Sequence, residues 1–287
     1  MPGSRTIDVV YRFDPAQRSR LVVPRSPADA LRRLTRGNRA FANLVQARGG
    51  RASIITLDPS HMGHDLKPGV APVQRPFAAV LGCSDARVPI EMVFQQRAND
   101  LFVVRVAGNG LGSGCVGSLR YAREHFSTSL RLVVVLGHSQ CGAVTAAVDA
   151  FLKPKNYLPL ASNFPLRSIV DPILVAVRAA SLALEDAHPD HVIGRRGYRA
   201  ALVETSSMLN AALAAYALEE ELASRTCRVV FGWYDLASRL VSVPRGANRR
   251  AGRRDAGLLP PPHDDAEFRR LAREVARSVL MRTLLDG

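Results

Sequence analysis

The chain has 287 residues, of which 47% are hydrophobic, which is enough for one large α/β domain or two smaller ones with buried cores. No stretch approaches the roughly 18 apolar residues that a membrane-spanning helix needs, and the opening residues lack an apolar run of signal-peptide length. We therefore expect a soluble cytoplasmic protein without membrane insertion.

The chain is strongly basic, with 39 lysine and arginine residues against 25 acidic ones and a formal net charge of +14. Such an excess can attract nucleic acid, anionic surfaces or acidic substrates. The densest basic run, residues 245–254, has no interleaved aromatic residues and stands among Gly and Ala, so base stacking is not indicated. We interpret this run as a solvated loop. Charge is the only feature that suggests a nucleic-acid partner, and we expect none.

An amphipathic helix is predicted to begin at Ser26. The segment from this residue has a Ser cap, an acidic residue three positions later, apolar residues at helical spacing and a terminal Gly pair. The mixed, Pro-containing residues 51–76 are interpreted as a surface arm. Nearly continuous apolar runs follow, as is typical of parallel strands that are buried on both faces. These runs are residues 77–85, 100–108, 130–138 and 227–235.

Helical patterns lie between and after these runs, which predicts an α/β fold with a mostly parallel central sheet flanked by helices. An N-terminal helical arm and a C-terminal helix complete this prediction. Turn residues after Val230 also favour a terminal antiparallel hairpin. The predicted helices after the arm are residues 117–126, 140–152, 168–184, 198–223 and 264–285.

The cysteines are too few for a disulfide scaffold, since the chain has only four. A cytosol would keep them reduced, so metal binding or catalysis is the better interpretation of clustered ones. Cys115 lies in a Gly-rich stretch and Cys227 begins a strand, and we interpret both as structural. The Gly-rich residues 108–117 lack the Lys-Ser/Thr ending of a phosphate-binding loop and are interpreted as a tight turn.

Cys83 ends the first apolar run and is followed closely by Asp85 and Arg87. Side chains alternate in an extended segment, so all three project to one side, at the carboxyl end where open α/β sheets bind ligands. Taken singly, each has a plainer interpretation, because a buried Cys is often a small hydrophobe and an Asp-Arg pair is often a surface pair.

The third apolar run ends at His138, and Cys141 follows three residues later where a helix begins. This spacing brings both side chains to one side, and the helix N-terminus lowers the pKa of the thiol. With Cys83 they form a Cys₂His set, which matches a catalytic zinc whose fourth position is left for water. A non-enzymatic metal or redox module is the alternative, but it would leave Asp85 and Arg87 without a role.

Five blocks of sequence resemble the signature blocks of the beta-class carbonic anhydrases, in their usual order. The resemblance covers residues 74–148 well and 199–245 loosely. The five blocks are CSDAR (83–87), DLFVVRVAGN (100–109), GSLRYA (117–122), LGHSQCGAV (136–144) and FGWYD (231–235).

The resemblance implies one domain over residues 1–287. Its implied parts are an N-terminal helical arm (1–73), a metal-site core (74–148), an insertion (149–198), a completing helix and strands (199–245), and a basic loop with the C-terminal helix (246–287).

The same resemblance implies that the chain hydrates carbon dioxide reversibly to bicarbonate and a proton by a zinc-bound hydroxide. It also implies that Asp85 and Arg87 form a dyad beside the metal. The carboxylate of Asp85 orients the nucleophile, and Arg87 keeps that carboxylate off the metal. A hydrolase of carbonyl sulfide or carbon disulfide on the same zinc site is the alternative. The implied roles are zinc ligation by Cys83, His138 and Cys141, the dyad Asp85 and Arg87, and a substrate pocket lined by Gln74, Phe102 and Tyr121.

Two further expectations concern assembly and regulation. The apolar stripe of the helix at 26–48 suggests packing on a partner subunit, as in the resembled family, and predicts a homodimer or a higher homo-oligomer. Val80 stands where some members of that family have a Trp that helps to hold a second, inhibitory bicarbonate. We therefore expect an open metal position and no cooperative inhibition by bicarbonate.

Overall fold

The computed structural model describes residues 8–13, 23–46, 52–57, 69–97, 99–244 and 257–287, and the basic run at 245–254 lies outside them. The strands are β1 (Asp8–Phe13), β2 (Ala52–Leu57), β3 (Ala78–Gly82), β4 (Leu101–Arg105), β5 (Leu132–His138), β6 (Arg228–Tyr234) and β7 (Val241–Ser242). The helices are α1 (Pro27–Gln46), α2 (Ile90–Val93), α3 (Ser113–His125), α4 (Gly142–Leu152), α5 (Leu158–Ala161), α6 (Phe164–Ala187), α7 (Tyr198–Leu222), α8 (Asp265–Ala276) and α9 (Val279–Asp286).

The central sheet has five strands in the order β4-β3-β5-β6-β7. The first four are parallel, and β7 pairs antiparallel with β6. Every residue of β3 and β5 is buried, which explains why their sequences are almost entirely apolar. The predicted α/β fold with a mostly parallel sheet is therefore confirmed, as is the terminal hairpin.

Helices cover both faces of this sheet. On one face, α3, α6 and α7 bury Leu119, Ile173 and Leu209 in the larger apolar core. On the other face, α1 and α2 bury Leu34 and Ile90 in a second core. The apolar stripe of α1 thus packs on its own chain, so it gives no separate reason to expect a partner subunit.

The predicted N-terminal helix is confirmed as α1, whereas the predicted surface arm at 51–76 contains a strand. β1 and β2 pair in parallel as a separate two-stranded sheet, with α1 between them in sequence. The pairing joins segments about 44 residues apart, as from Asp8 to Ala52. Six-residue strands this far apart leave no local signal such as a hairpin turn, so the pattern did not predict them.

The predicted C-terminal helix is broken in two. α8 ends at Ala276 and α9 begins at Val279. The side chain of Ser278 accepts a hydrogen bond from the backbone N–H of Met281, which caps α9 and competes with a continuous helix. No helix in the described part of the chain is long and apolar enough to cross a membrane.

Candidate metal centre

The three predicted ligands meet at the carboxyl ends of two adjacent strands. Cys83 directly follows β3, His138 ends β5, and Cys141 precedes the first residue of α4. The Sγ atoms of the two cysteines lie 4.0 Å apart, and the ligand atoms of all three residues lie within 4.8 Å of one another. Two sulfurs bound tetrahedrally at ~2.3 Å from one zinc would be about 3.8 Å apart, so the thiols fit a single ion.

The imidazole of His138 is fixed in orientation by the backbone of the next residue, Ser139. Nδ1 lies 2.9 Å from the carbonyl oxygen of Ser139, and we place the ring proton there because a carbonyl can only accept. Nε2 is therefore the lone-pair nitrogen, and it is buried without a hydrogen-bond partner among the described residues. An orphaned imidazole nitrogen that faces two thiols fits a metal ligand.

The two thiols lie within hydrogen-bonding distance of each other, which shifts their pKa values in opposite directions. A hydrogen bond from Cys141 is the main cause that lowers the pKa of Cys83 to about 4, with a further contribution from the backbone N–H of Gly108, 3.4 Å from its Sγ. The same bond to Cys83, followed by burial, raises the pKa of Cys141 above its ordinary value. A bound cation replaces a thiol proton and favours both thiolates.

Asp85 and Arg87 form a paired dyad at the edge of the ligand cluster. Arg87 donates to Asp85 from Nη2 at 2.7 Å, from Nε at 3.0 Å and from its backbone N–H at 2.9 Å. The Asp85 carboxylate lies 4.0 Å from Nε2 of His138. The hydrogen bonds from Arg87 are the main cause that lowers the pKa of Asp85 to about 2, so this group is ionised at neutral pH.

Further side chains hold the backbone of the site, and sequence analysis did not identify them. Arg105 donates to the carbonyl oxygens of Cys83 at 3.0 Å and of Asp85 at 2.6 Å. Ser207 on α7 donates to the carbonyl of His138 at 2.7 Å. Arg105 ends β4, the parallel neighbour of β3, so its place near Cys83 could have been found from strand order.

Glu204, also on α7, reaches the loop between two of the ligands. One carboxylate oxygen accepts the backbone N–H of Gln140 at 3.0 Å, and the side chain is only 8% exposed. Burial raises the pKa of Glu204 to about 7. Its other oxygen has no hydrogen-bond partner within the described ranges.

Gln74 lies at the opposite end of β3 from the metal ligands. Its neighbours Val73 and Arg75 are hydrogen-bonded to Asn99, which precedes β4. The five residues of β3 separate this end of the strand from Cys83. The exposed side chain of Gln74 is therefore not brought to the ligand cluster of its own chain.

Phe102 also lies apart from the ligands in the same chain, and Tyr121 is exposed on α3. Phe102 pairs with Ala79, near the start of β3, and its ring centroid is 5.9 Å from that of Phe126. Tyr121 is 48% exposed and stacks on His125. The substrate-pocket role of both residues stays a prediction.

The ligand cluster is the one group of three or more His, Cys, Asp and Glu residues among those described whose atoms could share a metal. Cys115 and Cys227 lie outside it, the first half-buried and the second buried. Burial raises the pKa of Cys227 to about 11, which is typical of an inert thiol.

The chain is similar to known proteins, and the matching family model covers the part that carries this site. A family model described as carbonic anhydrase matches residues 78–241. Carbonic anhydrase 2 of Mycobacterium tuberculosis is 41% identical over 103 residues, which are 35% of this chain and 49% of that protein. The carbonic anhydrase of Mycolicibacterium smegmatis is 39% identical over 105 residues, 36% of this chain and 50% of that protein. The match thus spans about half the length of these relatives.

A solved structure of a tetrameric beta-carbonic anhydrase from Sordaria macrospora is 22% identical. The alignment covers 63% of this chain and 87% of that one, with a TM-score of 0.47.

Proposed function

Since the chain belongs to the carbonic anhydrase family, in its beta class, we propose that it catalyses the reversible hydration of carbon dioxide to bicarbonate and a proton with a zinc ion as cofactor. The observation that carries this proposal is the cluster of two thiols and an unpartnered imidazole nitrogen, with the paired carboxylate of Asp85 beside it.

Cys83, His138 and Cys141 would hold the metal, because thiolate and imidazole are the ligands that zinc prefers. When bound there, zinc would lower the pKa of a water molecule and so supply the nucleophile. Two thiolates and a neutral imidazole cancel the metal charge, so we expect activity to favour neutral or alkaline pH.

Asp85 is an ionised acceptor at the edge of the ligand cluster. In the proposed reaction it accepts the hydrogen bond of the attacking oxygen and thereby orients a lone pair toward the carbon of carbon dioxide. Arg87 satisfies both oxygens of that carboxylate and holds it away from the ligand position that water must reach. The dyad thus orients the reaction without itself forming a covalent bond.

Gln74, Phe102 and Tyr121 are proposed to line the substrate pocket from a second copy of the chain. Their own chain holds Gln74 and Phe102 away from its ligand cluster, so this role requires a homodimer or a larger homo-oligomer. Gln74 would donate a hydrogen bond to a substrate oxygen, and Phe102 would supply an apolar wall.

Zinc analysis followed by stopped-flow hydration of carbon dioxide tests the proposal. We expect about one zinc per chain and a hydration rate that exceeds the buffer rate and depends on Asp85. The same sample is offered carbonyl sulfide and carbon disulfide, and hydrogen sulfide is measured. Sulfide release without hydration of carbon dioxide would favour the hydrolase alternative, and zinc without either activity would favour a non-enzymatic metal module.

A further inference from the structure

Gln140 adopts an unusual backbone conformation between two of the proposed ligands. Its φ is +54°, in the left-handed region that side chains with a Cβ rarely adopt. It follows His138 by two residues and directly precedes Cys141. A change in the backbone conformation of this one residue would rotate the Cys141 thiol relative to the imidazole of His138. Some contact must therefore hold the Gln140 backbone in place.

The side chains of Glu204 and Arg87 hold the peptide groups of Gln140. Its N–H donates to Oε1 of Glu204 at 3.0 Å, and its carbonyl accepts from Nη2 of Arg87 at 3.3 Å. Arg87 in turn holds Asp85. Contacts therefore run from α7 through the loop between the ligands to the carboxylate beside the metal position.

Glu204 has no other evident purpose where it lies. It is nine-tenths buried in a helix whose neighbouring side chains are also buried, and burial of a carboxylate is costly unless it makes a specific contact. The hydrogen bond to Gln140 is the one that its carboxylate makes within the described part of the chain.

We propose that Glu204 is a positioning residue that holds the metal loop, residues 138–141, in the conformation that aims His138 and Cys141 at one ion. It acts through the Gln140 peptide and touches neither the ion nor the substrate. The inference rests on the zinc site proposed above. Its consequence is that loss of the Glu204 acceptor weakens zinc retention, as the loss of outer contacts to ligands commonly does.

The test measures the rate at which zinc passes from the protein to a chromogenic chelator. Glu204→Ala is expected to release zinc at least about tenfold faster than the wild type. Glu204→Gln keeps an acceptor oxygen of the same reach, so we expect its release rate to stay within about threefold of the wild type. The cobalt-substituted proteins give a second readout, because the visible absorption of cobalt reports ligand geometry and should shift in Glu204→Ala alone.

Glu219→Ala is the matched control. Glu219 lies on the same helix and also has a buried oxygen without a partner among the described residues, but it is about 22 Å along the helix from Glu204. Equal release rates for wild type and Glu204→Ala, or equal acceleration by Glu204→Ala and Glu219→Ala, would overturn the inference.

A double variant keeps the test decisive if Glu204→Ala folds poorly. Gly tolerates the left-handed region, so Gln140→Gly should recover part of the zinc retention in the Glu204→Ala background. No recovery in the folded double variant would overturn the proposed role of the Gln140 backbone. If the wild type itself binds no zinc, the proposed function fails, whereas a zinc-binding wild type that is indifferent to Glu204 defeats only this inference.

Discussion

Among single residues, Asp85 and Arg87 are proposed to decide whether the attacking oxygen is correctly oriented. Asp85→Ala removes a group that is ionised at neutral pH but is not one of the three ligands. We expect the variant to keep its zinc and to lose activity about a hundredfold, as misorientation commonly costs. Zinc analysis and stopped-flow hydration on the same sample check this, and a fully active Asp85→Ala would refute the role given to the dyad.

Glu204 also gives a stability prediction, for the metal-free protein. Burial raises its pKa from 4.5 to about 7, while Asp235 adds to the rise, and the Gln140 N–H and His138 oppose it. Between these pH values the folded state binds more protons than the unfolded state, so the free energy of unfolding falls as pH rises. The loss should be on the order of 3 kcal/mol by pH 8.

Glu204→Gln cannot titrate and supplies the reference for this effect. Denaturant unfolding at pH 4.5 and pH 8 should show the wild type losing stability relative to Glu204→Gln as pH rises. A stability difference between the two proteins that does not change with pH would show that Glu204 keeps an ordinary pKa.

The ligands could be predicted from the sequence, whereas the residues that hold them could not. Cys83 and His138 end apolar runs, and the carboxyl ends of parallel strands meet. Glu204, by contrast, lies inside a long Ala- and Leu-rich helix, 64 residues from the peptide that it binds. No local pattern marks such a contact, because the packing of α7 on β5 alone creates it.

At the scale of elements, the short turn at residues 107–109 links the metal site to α6. Gly108 has a φ of +66°, and a Cβ there would lie 2.8 Å from Cδ1 of Ile173 on α6. Its N–H points to Sγ of Cys83 and its carbonyl accepts from Asn210. The predicted insertion at 149–198 is thus part of the packing around the site.

Gly108→Ala should destabilise the protein by about 1–3 kcal/mol, because it combines left-handed strain with a steric clash. Gly194→Ala is the control, since an added Cβ there meets no atom within 4 Å and its φ is not in the left-handed region. We expect that control to change stability by less than about 0.5 kcal/mol. Chemical denaturation of both variants measures the difference, and equal stability would contradict this packing.

The elements were predictable where one periodicity extends over a whole segment. The four parallel strands and the helix at 198–222 follow directly from their apolar patterns. α3 begins at Ser113, four residues before the predicted start, because its first turn is Gly-rich and has little helical pattern. The formation of β1 and β2 depends on their pairing with each other rather than on a pattern in either sequence. The last helix is divided at Ser278 by a single hydrogen bond from the N–H of Met281.

For the whole molecule, the proposed second copy can be tested by mixing inactive variants. If Gln74 serves the site of a partner subunit, a hybrid of Gln74→Ala and Asp85→Ala subunits has one intact site. After subunit exchange of an equimolar dimeric mixture, we expect about a quarter of wild-type activity to return. Mixing His138→Ala with Asp85→Ala should restore none, because both residues belong to the site of one chain.

No recovery in the first mixture would contradict a pocket shared between copies.

The cytoplasmic location, the single-domain division and the absence of nucleic-acid binding stay predictions. They depend on charge and composition, which the arrangement of the core does not test.

One zinc ion at Cys83, His138 and Cys141 is proposed to give the chain its carbonic anhydrase activity. This dependence is measured by titrating the chelator-stripped protein with zinc while carbon dioxide hydration is followed by stopped flow. We expect no activity without metal, a linear rise with added zinc and a plateau at about one equivalent per chain. Hydration by the stripped protein, or none with a full equivalent of zinc bound, would contradict the claim.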